Sequence, residues 1–316
     1  MDKQNQIVIT CTNLNETLEF FTHQLGFRLD VIFPADAPTT AIISGYGKTL
    51  RLEESNSIES FNKISLEIPI STNEFVLTKN ENNWHTGRAG MQYRDLIPSR
   101  LGGKYIASHI RIEKGGKVPD YVHYHKVRFQ MIYCLSGWAK LVYEDQGAPI
   151  LMNAGDCVLQ PPEIRHRVLE CSDNFEVLEI GCPSIHPTFA EHEFDLPTEN
   201  LAPDRIFNGQ KFVHHIAEKG VWITEGDFEW CDTGISKATN GLADVQTLRA
   251  IADTTFNIQH SDDFLFYFVK KGNLRLSDNE NIYRLNEGCS FVLPKERQYL
   301  IEADKGLELI RVNLPK

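Results

Sequence analysis

The chain has 316 residues, 41% of them hydrophobic and 24% charged, which excludes a disordered or fibrous protein and suits two or three globular domains. A formal net charge of −11 argues against a nucleic-acid binder, because neutralising phosphates needs a basic surface. The seven cysteines are odd in number and form no C-x-x-C pair, so they read as reduced thiols, without a disulfide framework or a thiolate zinc site.

The first six residues are polar and carry no signal-peptide apolar region, and no apolar run approaches the roughly 18 residues of a membrane helix. A cytoplasmic chain with neither membrane nor nucleic acid as partner is expected. Ile7-Val8-Ile9-Thr10 reads as a strand, and Asn13 as the cap of a helix with Glu16 as reciprocal acceptor. Leu14, Leu18, Phe21 and Leu25 fall on one face of that helix, and Gly26 ends it. Strands are expected over residues 29–33, 39–44 and 49–53, with Gly45-Tyr46-Gly47 as a turn. Gly47-Lys48-Thr49 is a hairpin turn rather than a phosphate loop, whose first glycine would fall where Ile42 stands. Residues 56–100 are weakly patterned, apart from an alternating strand at 63–68 and a polar loop at Asn80-Glu81-Asn82-Asn83 that suits a boundary.

From Tyr105 onward, short strands recur between turns, at 105–112, 121–125, 129–135, 139–143, 157–160, 166–170 and 175–180. Such spacing argues for an antiparallel sandwich or barrel. Residues 183–203, rich in Pro, Asp, Glu and His, read as a connector. The last third repeats the pattern. Twelve positions separate His125 from Gly137 and His260 from Gly272, and eleven separate Gly155 from His166 and Gly288 from Tyr299. On this register Ile258 stands for His123, Leu265 for Gln130 and Tyr299 for His166, so that His260 alone survives of four polar positions.

The chemistry concentrates between Gly116 and His166. His123 and His125 are two apart, and on an extended strand both imidazoles share a face. Gln130 follows, then Gly155-Asp156, Pro161-Pro162 and His166. This order resembles the two signature motifs of the cupin superfamily over about residues 103–183, with a worn second copy behind it. The resemblance implies one divalent transition metal (Fe, Mn, Ni, Zn or Cu, with Fe favoured) held by His123, His125, Gln130 and His166. The usual fourth ligand is a glutamate. A neutral glutamine leaves the ion at +2 rather than +1, a stronger Lewis acid that favours an anionic or carbonyl-containing substrate.

Strand parity puts Arg128 on the face of Gln130, Ile132 and Cys134, where it could hold a carboxylate or phosphate. Tyr133 and Glu179 are candidate acid/base groups, though Glu179 is read as an inter-strand or surface residue. Cys134 reads as a core filler, and His109 and Arg111 share a face of an earlier strand.

The N-terminal strand-helix-three-strand order, with Asn13-Leu14-Asn15-Glu16-Thr17-Leu18-Glu19-Phe20-Phe21 and Leu25-Gly26-Phe27, resembles one module of the vicinal-oxygen-chelate (glyoxalase-like) superfamily. That family's ligand positions would fall at Gln6 and about Glu53; a structural or dimerising role is expected instead, the second of which would make the protein a homodimer. The expected fold is therefore mainly β: an α+β glyoxalase-like module (1–80), a metal-binding jelly-roll barrel (84–190) and a degenerate second barrel (205–316). The expected function is a cupin-type metal-dependent enzyme on a small oxygen-rich metabolite, as a non-haem iron-type dioxygenase. The alternatives are an isomerase or lyase of a sugar acid or keto acid, and a non-catalytic small-molecule-binding cupin.

Overall fold

The structure, a computed structural model, describes residues 7–25, 27–34, 37–45, 48–55, 72–87 and 90–315. Strands dominate among these residues, and the chain divides into two compact units, residues 1–72 with 98–105 and residues 73–97 with 106–316. No helix of the described residues is long and apolar enough to cross a membrane.

In the first unit, strand Ile7–Cys11 runs parallel to Lys48–Glu54, which pairs with Thr40–Gly45 and then Arg28–Phe33. Helix Leu14–Glu19 follows the first strand, capped by Asn13 Oδ1, which accepts from the Glu16 amide at 3.1 Å. The chain then widens into a π turn, Phe20–Gln24, closed by the Leu25 amide on the Phe20 carbonyl. Alternation along the strands turns Ala41, Ile43, Leu50 and Leu52 to one face, where they bury against Leu14, Phe21 and Phe27. The expected strand-helix-three-strand order is present; Gln6, Gly26, Tyr46, Gly47 and the strand expected at 63–68 lie outside the described residues.

The second unit holds two barrels, each made of two facing sheets. In the first, one sheet runs Ile150–Asn153, Trp138–Tyr143, His166–Cys171, His123–His125, Thr188–Ala190. The other runs Val213–His215, Cys157–Leu159, Phe129–Ser136, Phe175–Cys182, Ile106–Ile112, Gln92–Asp95, His85–Thr86. Leu141, Tyr143 and Met152 of one sheet meet Ile110, Cys134, Val158 and Val177 of the other in a single core. The second barrel does the same with Leu265, Tyr267, Val269 and Phe291 against Leu274, Leu276, Leu285 and Ile301.

The two barrels match in register as well as in outline. His123 pairs with His166, and Ile258 with Tyr299. A bulge interrupts pairing between Cys134 and Ser136, and another between Val269 and Lys271. The Glu163 amide donates to the His125 carbonyl and the Glu296 amide to the His260 carbonyl, both glutamates lying at positive φ (65° and 64°). These are the positions paired by the sequence register.

The barrels also exchange strands. Val213–His215, which leads into the second barrel, pairs with Cys157–Leu159 of the first. Val76–Thr78, which leads into the first, pairs with Ser290–Val292 of the second. Residues 73–80, grouped with the N-terminal module by the sequence boundaries, therefore sit with the barrels. The stretch 183–203, read as a connector, supplies the strand Thr188–Ala190 beside His123–His125.

Candidate metal centre

Two short backbone segments bring the histidines together. His123 and His125 point the same way from one strand, and His166 opens the neighbouring antiparallel strand directly across from His123. One ring nitrogen from each lies within 4.8 Å of the other two, and the ring centroids are 4.3–5.2 Å apart. An ion with bonds of about 2.0–2.2 Å spreads its ligand atoms over as much as about 4.4 Å, so small ring rotations close such a site.

The rings are held from behind. His123 Nδ1 donates to the Tyr121 carbonyl at 2.8 Å and His166 Nδ1 to the Ile164 carbonyl at 2.9 Å. A carbonyl can only accept, so both rings are set in the tautomer whose Nε2 carries the lone pair. His125 Nδ1 meets Thr188 Oγ1 at 2.8 Å. Burial of His123 and His166 (2% and 7% exposed) keeps water from competing, while His125 is half-buried. Asp120, whose Oδ2 accepts from the Val168 amide, also brings a carboxylate oxygen within 3.8 Å of His123 Nδ1. These three imidazoles could hold a metal ion, and such hydrogen bonds behind metal-binding imidazoles orient them and raise their basicity.

Gln130 is buried, and its Nε2 donates to Glu179 Oε1 at 2.7 Å. Glu179 stands opposite Ile132, which packs in the barrel core, so this carboxylate faces inward; of the inter-strand or surface role expected of it, it takes an inter-strand one, with Gln130 rather than a cation as partner. Tyr143 stacks on His166 at 5.7 Å, and burial pushes its hydroxyl well above its ordinary range. His186, from the connector, stands edge-on to His125 at 5.4 Å. Thr188 and His186 carried no strand pattern in the sequence; a histidine inside a Pro-rich stretch was their one signal.

The other named residues lie elsewhere. Arg128 is exposed, one residue before the strand Phe129–Ser136, with its backbone tied to the Cys182 carbonyl and to Gln210. Tyr133 is on the strand face opposite Gln130 and reaches Thr247 Oγ1 of the second barrel at 3.2 Å; burial raises its pKa. Tyr133 is thus not brought beside the histidines. Cys134 is a core filler, with burial pushing its thiol up to about 12, and all seven cysteines are buried and unpaired. His260 Nε2 donates to the Leu293 carbonyl at 2.9 Å. Glu53 is paired with Arg51.

Residues 108–181 match the Cupin domain family. No curated protein matches the chain in sequence. Among solved structures, salicylate 1,2-dioxygenase from Pseudaminobacter salicylatoxidans superposes with a TM-score of 0.58 at 14% identity, covering 80% of this chain and 88% of that one. The same enzyme with gentisate gives 0.55 at 15% identity, covering 77% and 81%. Oxalate decarboxylase from Bacillus subtilis gives 0.57 at 11% identity, covering 76% of each chain. The segment that carries the three histidines thus matches the cupin domain family, inside a mostly β fold that the chain shares with these two enzymes.

Proposed function

We propose that the first barrel is the centre of a metal-dependent cupin enzyme acting on a small, oxygen-rich, anionic or carbonyl-containing metabolite, and that it is a non-haem iron-type dioxygenase. The observation that carries this reading is the convergence of His123, His125 and His166 with two of the three tautomers preset. The donor set suits a divalent first-row ion, Fe in the first place, with Mn, Ni, Zn or Cu as competitors. Gln130 is proposed as a fourth ligand: its amide nitrogen is taken by Glu179, which leaves the carbonyl oxygen as the donor end. A bound ion would supply Lewis acidity and, as iron, redox chemistry with O2. The protein's own part is to bind and orient the substrate, to shield it through Tyr143 and the buried histidines, and to keep a carboxylate nearby at Glu179.

The salicylate dioxygenase and oxalate decarboxylase likenesses support the choice of class, since both enzymes act on small carboxylic acids. Glu179 favours one second reading, an isomerase or lyase, because an inward carboxylate can move a proton without O2. The deciding experiment is oxygen uptake by Fe(II)-loaded protein offered hydroxylated aromatic acids, keto acids and sugar acids. Substrate-dependent O2 consumption supports the dioxygenase. Turnover without it supports the isomerase or lyase, and saturable binding without turnover supports a binding protein.

A substrate-holding part is proposed for Arg128, whose exposure leaves it free to meet an anionic group, and an acid/base part for Tyr133, against which its hydrogen bond to Thr247 of the second barrel counts. For the first unit, the strand order and the helix Leu14–Glu19 support a lone glyoxalase-like module with a structural or dimerising role, which sedimentation of the intact chain tests.

A further inference from the structure

A cavity of about 510 Å³ opens on the outer face of the first barrel where the second barrel packs against it. That volume is in the range of small-molecule sites, roughly 300–1,000 Å³. The cavity is built on strand faces that point away from both cores. His109 and Arg111 come from one strand, Glu176 from its antiparallel neighbour, and Lys270 from the second barrel.

Its floor is cationic and held in place. Arg111 stacks over Trp84 at 4.1 Å, and Lys270 is anchored by Glu308 at 2.9 Å. Behind them Arg94, fully buried, donates to His109 Nδ1 at 2.9 Å and to the Gly288 carbonyl of the second barrel at 2.8 Å. His109 in turn donates from Nε2 to Glu176 at 2.7 Å. Both ring nitrogens are engaged, so this histidine is neutral scaffolding and no proton carrier. The rim is anionic: Glu81 and Glu287 are exposed at the mouth. Trp84 and Leu135 give the wall an apolar side.

The charge order selects the guest. A simple anion would meet Arg111 and Lys270 but would have to pass two rim carboxylates and lie beside Glu176. A simple cation would face Arg111 and Lys270 at the floor, with the buried Arg94 behind them. A neutral guest would partly desolvate those charges and offer them nothing in return. A molecule with a carboxylate at one end, an ammonium at the other and an apolar body matches all three regions. We propose that this cavity binds a small zwitterion of the amino-acid type, at a site separate from the metal centre.

The test is binding to the intact chain, followed by tryptophan fluorescence (Trp84 lines the cavity) and by equilibrium dialysis. The probes are L-phenylalanine, L-leucine, N-acetyl-L-phenylalanine and L-phenylalaninamide. The two free amino acids are expected to bind, and either block is expected to weaken L-phenylalanine at least about tenfold, the loss of one charged hydrogen-bonded end. Glu287→Gln, an exposed change that the fold tolerates, should weaken the free amino acid while sparing the N-acetyl form. Lys270→Gln should weaken every probe that carries a carboxylate. His166→Ala should leave binding unaltered, which separates this site from the metal centre. The proposal is overturned if no probe binds saturably at millimolar concentration, or if the N-acetyl or amide form binds as tightly as the free amino acid.

Discussion

At the level of single residues, two histidines that look alike in sequence have different futures. His125 and His260 occupy the same place in their barrels, each with its carbonyl taken by a glutamate amide at positive φ. His125 keeps two imidazole neighbours within reach of one ion, whereas His260 Nε2 is given to the Leu293 carbonyl and its partners have become Ile258 and Tyr299. His123→Ala and His166→Ala are therefore expected to lower bound metal from about one ion per chain to nearly none, with the β circular-dichroism spectrum retained. His260→Ala is expected to leave the metal content unchanged; equal loss in all three variants, by elemental analysis, would overturn the assignment.

A second residue-scale prediction concerns His109. Burial is the largest influence on its ring, and with Arg94 and Arg111 nearby its pKa falls below the ordinary 6.5 despite the Glu176 contact. The folded state then binds fewer protons than the unfolded chain in that window, so stability is full above about 6.5 and falls as pH drops through the lowered folded value. Glu176, also held below its ordinary 4.5, chiefly by the His109 hydrogen bond, adds a further loss at lower pH with the same sign. Urea midpoints at about pH 7.5 and about pH 5 should differ less in His109→Gln than in the wild type. An unchanged difference would remove His109 from the account.

At the level of elements, the metal candidates were legible because they sit on strands, where a period of two fixes which side chains share a face. His123, His125 and the register to His166 follow from that rule and from the spacing of turns. Glu179 follows the same rule, sharing the inward face of Phe175 and Val177, while its inter-strand partner, Gln130, shows only once the strands are paired. Tyr133, one residue out of phase with Gln130, could not share its face, and the structure sends it to Thr247. The exchanged strands, Val76–Thr78 and Val213–His215, are three residues each and pair with partners far away in the chain, so no local pattern announces them. One signal was available: Phe75-Val76 and Phe212-Val213 are the same pair at the same point of the repeat. Phe212 packs on Tyr143 at 4.6 Å, next to His166, while Phe75 stacks on Tyr299 at 5.4 Å and Tyr283 at 4.9 Å. In the second barrel that aromatic group lies where the first has a histidine. Phe75→Ala should accordingly cost about 2–4 kcal/mol by denaturant unfolding and loosen amide-exchange protection at Ser290–Val292. A change under about 0.5 kcal/mol would mean that Phe75 is not part of that core.

At the level of the whole molecule, the strand exchange bears on whether each barrel is a separate folding unit. Each one completes a sheet with three residues that lie on the other's side of the chain. The junction between them is polar and specific: Arg94 to the Gly288 carbonyl, Asn80 Nδ2 to the Glu287 carbonyl at 3.1 Å, and Tyr133 to Thr247. Removing one barrel strands a buried guanidinium and opens a sheet edge, both costly to leave uncompensated. Residues 72–315 are therefore expected to melt in one calorimetric transition, with van't Hoff and calorimetric enthalpies equal. Residues 205–316 alone lack Val76–Thr78 and the Phe75 ring, and should show broad, weakly cooperative unfolding that sharpens when residues 72–87 are fused ahead of them. Two well-separated transitions in residues 72–315, or a sharp transition in the isolated last third, would show that the exchanged strands decorate barrels that are already complete.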